Sequence, residues 1–253
     1  MIDLGQPIQK HIAMWASIRS LTTAMMRAWG SRPDTLVWDD PLYPVYLSLS
    51  GKQHPYYDEI LMRYETNFDK VVTLMTGKIP YNKTILFQKH IADVLLFEQM
   101  NMNFLGKLMN FLLIRNPHDI IHSISNKLPV FSLHDTGLPN LQKLFDLLHH
   151  LTGETPIIID AYDLQQYPKK TLTILCQVLN VEFTDAMLSW SNCRYETDGL
   201  WGSHWYDNVI NSTGFHPYKN KEKDIPKHLH DIFEQANSIY QNLYNYRLTI
   251  NKS

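Results

Sequence analysis

Five short apolar runs punctuate the chain, at His11–Ala16, Thr35–Trp38, Thr84–Gln88, Asn110–Arg115 and Pro156–Asp160. "FLLIR" and "PIIID" are continuously apolar rather than alternating, as strands buried on both faces of a parallel sheet must be. Between the runs, apolar residues recur at steps of three and four. This spacing predicts helices over about 21–30, 56–76, 91–103, 117–126, 139–152 and 169–179. In the second helix, Ile60, Leu61, Tyr64, Phe68, Val71, Val72 and Met75 form one stripe. In the fifth, Leu141, Leu144, Phe145 and Leu148 do the same. Strands alternating with helices imply βαβ units, hence an α/β fold in three layers around a mainly parallel five-stranded sheet.

The periodicity then fades. Residues 190–225 are rich in Trp, Tyr, Asn, Gly and His, and read as a long ordered loop, a class that is usually functional. A closing helix is predicted over about 227–248, with Ile232, Ala236, Ile239, Leu243 and Tyr246 on one face. No repeat or flexible linker interrupts the pattern. With 253 residues, the expectation is one domain over 1–253, with its core at about 10–183.

Composition narrows the function classes. Apolar residues make up 44% and charged residues 19%, ample for a globular core, and the net charge is −2. That balance argues against a nucleic-acid partner, which favours a basic surface. The two cysteines, Cys176 and Cys193, give neither a disulfide framework nor metal-ligand spacing, so a reducing, cytoplasmic setting is expected. No run approaches the ~20 apolar residues of a membrane span. The twelve histidines are scattered, and no metal site is expected.

Chemistry collects where strands end. In a parallel sheet, ligands sit beyond the carboxyl ends of the strands. A helix beginning there offers free N–H groups and a favourable dipole to an anion. "WASIRSLTTAMM" occupies that place after the first strand. Ser20, Thr22 and Thr23 can donate hydroxyl hydrogen bonds, and Arg19 supplies a charged fork. The same residues also suit a Ser/Thr helix cap beside a surface arginine. The Walker A pattern, with its lysine, is absent, which disfavours a kinase. "WDDPLY" follows the second strand, "FQKH" the third and "LIRNPHDIIHSI" the fourth.

This order resembles the sulfotransferase superfamily, which moves the sulfuryl group of 3′-phosphoadenosine 5′-phosphosulfate (PAPS) and has a P-loop nucleoside triphosphate hydrolase-like fold. The resemblance covers roughly 10–215 and is nearest a bacterial-type branch, whose tail "SHWYDNVINSTGF" fits. It implies that Arg19, Ser20, Leu21, Thr22 and Thr23 hold the 5′-phosphosulfate, Arg19 acting on the leaving group. It implies that Arg115 and Ser123 hold the 3′-phosphate. Ser212, Thr213 and Gly214, or Lys219 and Lys221, would lie near the adenosine. Lys89 is implied to touch the transferring group. Asp40 is the favoured base, with Asp39 as alternative. His90 is a lesser candidate, because backbone alternation turns it from the cleft. Trp38, Asp39, Tyr43, Tyr46, Trp201, His204, Trp205 and Tyr206 would line the site of a small-molecule acceptor. That acceptor would be a hydroxyl or, less favoured, an amine. PAPS would be the donor, PAP the product, and no metal is required. The oligomeric state is open, a homodimer being one option. Two alternatives remain: an inactive nucleotide-binding module and a small-molecule kinase. The glycines usual in the family's first loop are replaced by Ser17-Ile18 and Leu21. Ile18 and Leu21 therefore keep ordinary φ, or the loop takes another path.

Overall fold

The computed structural model describes residues 8–125, 128, 130–219 and 224–250. In chain order the elements are β1 Lys10–Ala16, α1 Thr22–Gly30, β2 Thr35–Asp39, α2 Tyr43–Ser50, α3 Tyr57–Arg63 and α4 Phe68–Thr76. There follow β3 Ile85–Ile91, β4 Met109–Ile114, α5 Pro117–Ser125, α6 Leu138–Thr152 and β5 Ile157–Asp160. The remainder is α7 Ala161–Gln166, α8 Pro168–Val178, α9 Gly202–Trp205, α10 Asp207–Ile210 and α11 His230–Tyr244.

The five strands form one all-parallel sheet in the order β2-β3-β1-β4-β5. The chain leaves β1 toward β2 on one side and reaches β4 on the other. The carboxyl end of β1 is therefore the switch point where a crevice opens. Alternation along each strand feeds two cores. Ile12, Met14, Phe87, Phe111 and Leu113 face α1, α8 and the 190–215 tail. Ala13, Trp15, Leu112, Ile114 and Ile158 face α4, α6 and α11. Trp29 stacks on Phe87 with ring centroids 4.9 Å apart, both fully buried. Each such side chain stabilises the fold by roughly 1.5–3 kcal/mol.

Three local expectations change. The long helix expected over 56–76 is two helices, because the Asn67 side chain accepts the Lys70 N–H and starts α4 afresh. The helix expected over 91–103 is replaced. β3 runs on to Ile91, and only short 3₁₀ turns at Ala92–Val94 and Met102–Lys107 follow. The closing helix is shorter than its pattern, with a 3₁₀ turn at Lys227–Leu229 before it. Among the described residues no helix is long and apolar enough to cross a membrane, and no group of three or more His, Cys, Asp or Glu could hold a metal ion.

Candidate active site

The loop after β1 does take another path. Arg19 and Leu21 both stand in the left-handed region, at φ 61° and 62°. For an L-residue that costs roughly 1–2 kcal/mol each. Leu21 offsets part of this by packing on the core under α1. The loop's space is made from outside. Gly137, at φ +73°, lies so close that a Cβ there would stand 3.4 Å from the Ser17 Cα. The Ile18 N–H donates to the Thr136 carbonyl at 3.3 Å. No side chain caps α1 among the described residues, so its first N–H groups keep their donor capacity. Thr22, Thr23 and Ala24 face a cleft of about 790 Å³. Ser20 lies deeper, fully buried, its Oγ 2.6 Å from that of Ser17.

Arg19 and Arg115 meet here. The Arg19 Nε donates to Ser123 Oγ at 2.8 Å, and its guanidinium also reaches the Trp205 carbonyl at 3.2 Å. Arg115 donates to the Arg19 carbonyl at 2.6 Å and pairs with Asp119 at 3.4 Å. Burial, then the neighbouring Arg115 charge, lower the Arg19 pKa, while Asp207 opposes this. Arg19, Arg115 and Ser123 thus form one cluster beside the start of α1, two like charges held where an anion would relieve them.

The ends of β2 and β3 carry the second cluster. Asp39 pairs with Lys89 in the sheet register, and both side chains project to the tail side. Lys89 donates to Asp39 at 3.0 Å, to the Tyr206 hydroxyl at 3.0 Å, and to Asp40. Those bonds use all three ammonium protons. Asp39 also accepts from the Gly199 N–H at 2.9 Å and from the Tyr206 hydroxyl at 2.7 Å. Asp40, at φ 43°, turns out of the strand; its other oxygen accepts the Ile91 N–H at 2.9 Å. Asp40 lines the cleft and Asp39 lies behind it. Burial, only partly opposed by Lys89, pushes the Asp40 carboxyl up to about 6. The two carboxylates hold the Lys89 pKa well above its usual value against the cost of burial.

His90 is on the opposite face of β3. It stacks on Trp15 at 4.0 Å and is fully buried. Neither ring nitrogen has a hydrogen-bond partner among the described residues. Burial and then Lys89 hold its pKa well below the usual value. It is a neutral packing residue outside the cleft. The lesser candidate for the base thus lies outside the cleft lining.

Aromatic residues wall the cleft. Tyr43, Tyr46, Trp201, His204, Trp205 and Tyr206 all line it. The Trp205 indole N–H donates to His54 at 3.2 Å, and Tyr43 meets His54 edge-on. Trp38 does not join them. It packs against the core of the other sheet face, because strand alternation puts it opposite Asp39. Ser212 and Gly214 line the cleft, but the Ser212 hydroxyl is occupied by the Trp190 indole N–H and the Val209 carbonyl. Thr213 is exposed and absent from the lining; its carbonyl accepts the Trp190 N–H. Lys219 is exposed, and Lys221 lies outside the described residues. Sequence reasoning passed over Lys52, His54, Asp93 and Asp135, which also line the cleft. Lys52 and His54 come from a loop, and Asp93 and Asp135 from short 3₁₀ turns, none of them in a motif. It also passed over Arg27, whose guanidinium meets Asp198 in two 2.6 Å bonds and lies 4.0 Å over Tyr195. That buried pair fastens the tail to α1.

A parallel sheet with an anion-ready helix start at its switch point, and a paired carboxylate and lysine beside it, defines a P-loop-like group-transfer architecture. The chain belongs to the sulfotransferase-domain family, whose model matches residues 10–245. It is 35% identical over 230 residues to branched-chain-amino-acid aminotransferase-like proteins 2 and 1 of Arabidopsis thaliana. That match takes in 90% of this chain but 40% of each plant protein, so the chain spans about two-fifths of their length. Among solved structures, it resembles the sulfotransferase domain of the Synechococcus PCC 7002 olefin synthase, at TM-score 0.55 and 14% identity. Coverage there is 97% of this chain and 99% of that one. A sulfotransferase from Alicyclobacillus acidocaldarius matches at TM-score 0.51 and 11% identity, over 95% and 97% of the two chains. These two likenesses establish the fold.

Proposed function

We propose that this chain transfers a sulfuryl group from PAPS to a hydroxyl of a small organic acceptor. The observation that carries the reading is the division of one cleft. Arg19, Arg115 and the start of α1 stand at one side; Asp40 and Lys89 stand at the other. PAPS supplies an activated sulfuryl group and a phosphate leaving group. The residues fit such a molecule. Two guanidiniums, Ser123 and the hydroxyls of Thr22 and Thr23 offer donors to anionic oxygens at both ends of it. Arg19 sits between Ser123 and the loop, so it can serve either the 3′-phosphate or the leaving phosphate. Ser212 and Gly214 border the same cleft and suit the adenosine side.

Asp40 takes the acceptor proton. Its carboxyl faces the cleft, and a pKa near 6 suits a base working at neutral pH. Lys89 opposes the negative charge that spreads over the peripheral oxygens during in-line transfer. A direct bond from Lys89 to the sulfuryl group requires it to release one of its three protein partners. Tyr43, Tyr46, His54 and Trp205 give the acceptor an apolar slot with polar tips. The chemistry asks nothing of a metal, since side-chain cations answer the leaving-group charge. We take residues 10–245 to act as one domain, in a reducing setting consistent with free Cys176 and Cys193.

A thermal-shift titration tests the donor. PAP at a hundred times its Kd should stabilise the protein by about 2.7 kcal/mol, whereas ATP with magnesium should not. The reverse pattern would overturn the assignment. Full occupancy of the Lys89 protons favours one second reading, a nucleotide-binding module without catalysis. PAP binding without sulfate transfer to a broad acceptor panel would select it.

A further inference from the structure

We propose that Tyr206 is a positioning residue that ties Asp39 into the protein and leaves Asp40 as the carboxylate that works in the cleft. The inference rests on the sulfotransferase reading for its catalytic consequence only. Its structural part stands on four groups from separate elements. Asp39 and Asp40 are adjacent at the end of β2, and both contact the same ammonium. Two neighbouring carboxylates on one cation should share their protons, and either could be the base. The tail breaks that equivalence. The Tyr206 hydroxyl receives a Lys89 proton at 3.0 Å and passes its own proton to Asp39, 2.7–2.8 Å from both oxygens. The Gly199 N–H adds a second donor to Asp39 at 2.9 Å. Among the described residues Asp40 has no tail donor; its partners are Lys89 and the Ile91 N–H.

Hydrogen bonds to the charged form favour that form. Asp39 is therefore engaged by three protein donors, and Asp40 is left as the carboxylate next to the acceptor space. The charged and titratable groups facing the pair are Lys89, Tyr206 and, on the Asp40 side, Tyr43. His90 borders Lys89 from the other sheet face and is held neutral. The phenol itself does not titrate here: burial and Asp39 raise its pKa well above the usual value. Tyr206 is 5% exposed, and its ring packs within the core under the tail.

The test uses Tyr206→Phe in the full chain, which keeps the ring and removes the hydroxyl. Aspartate carboxyl ¹³C shifts are followed against pH with PAP present, and Asp40→Asn assigns them. In the parent background Asp40→Asn should remove the carboxyl response near pH 6; in the Tyr206→Phe background Asp39 is released and a response should remain. With transfer from PAPS assayed in parallel, Asp40→Asn should abolish transfer in the parent and leave part of it in Tyr206→Phe, while PAP affinity stays within about twofold. Loss of the response in both backgrounds overturns the inference. Should no acceptor be sulfated, the function falls, yet the carboxyl response still decides the positioning claim. If Tyr206→Phe fails to fold, the response near pH 6 should persist in Asp39→Asn and vanish in Asp40→Asn, and the opposite outcome overturns the proposal.

Discussion

The two polar ends of the cleft solve opposite electrostatic problems. Beside β1, Arg19 and Arg115 crowd two like charges together, and the hydrogen bonds of Arg19 go to a hydroxyl and a carbonyl. At the ends of β2 and β3, Asp39, Asp40, Lys89 and Tyr206 satisfy one another. In the proposed reading, the first region is the one that an anion from outside would complete. The second is closed on itself and changes only when a proton moves. A group-transfer site needs both kinds, one to bind charge and one to handle it.

The largest effect should come from opening the closed end. Lys89→Met leaves Asp39 and Asp40 without their cation, which should cost about 3–5 kcal/mol in denaturant unfolding. In whatever fraction folds, transfer should fall by on the order of 10²–10³. If stability and rate were both near normal, the closed end would not be what we describe. Next, Arg115→Ala removes a charged donor from the open end and should weaken PAP binding by roughly 10–100-fold in calorimetry. Its folding stability should change much less than that of Lys89→Met. A variant in which these two effects were exchanged would reverse the comparison.

The third effect is pH. Transfer, measured with the donor saturating, should decline as pH falls through about 6, where Asp40 protonates. The stability sign is the opposite of that for a salt-bridged aspartate. A carboxyl raised in the folded state contributes stability that is complete below its ordinary range and is lost as pH rises through about 6. Asp40→Asn should flatten that part of the thermal-unfolding profile. The smallest effect is expected of Leu21→Gly. It relieves roughly 1–2 kcal/mol of left-handed backbone but gives up a packed side chain and stiffens the unfolded chain less. Net stability should shift by less than about 1 kcal/mol, and a larger gain would mean that the loop stores strain for the open end.

Most of the scaffold was readable because it rests on periodicity. Continuous apolar runs marked the strands, and the parallel order followed from alternation with helices. β3 was underestimated because Lys89 and His90, beyond the assigned run, are polar yet buried. α2 was missed because "YPVYLSLS" has no polar stripe and a proline in its first turn. The split of α3 from α4 was written in Asn67, a capping residue hidden inside an unbroken apolar stripe. At the site, residues beside strand ends were legible from local order. Tyr206 and Trp205 were visible as tail aromatics, but not their partners. The Arg27–Asp198 pair joins positions whose proximity no local pattern encodes, and such long-range pairings are what a one-dimensional reading loses.

Gly137 carries a consequence of its own. It has no side chain, and its backbone serves its own turn, the N–H donating to the His134 carbonyl at 3.0 Å; yet it is the surface against which the loop after β1 rests. It faces that loop from the start of α6. Sensitivity to substitution therefore extends to a residue with no chemistry. Even a methyl group there would meet an unfavourable backbone angle in contact with Ser17, without altering any group that lines the cleft.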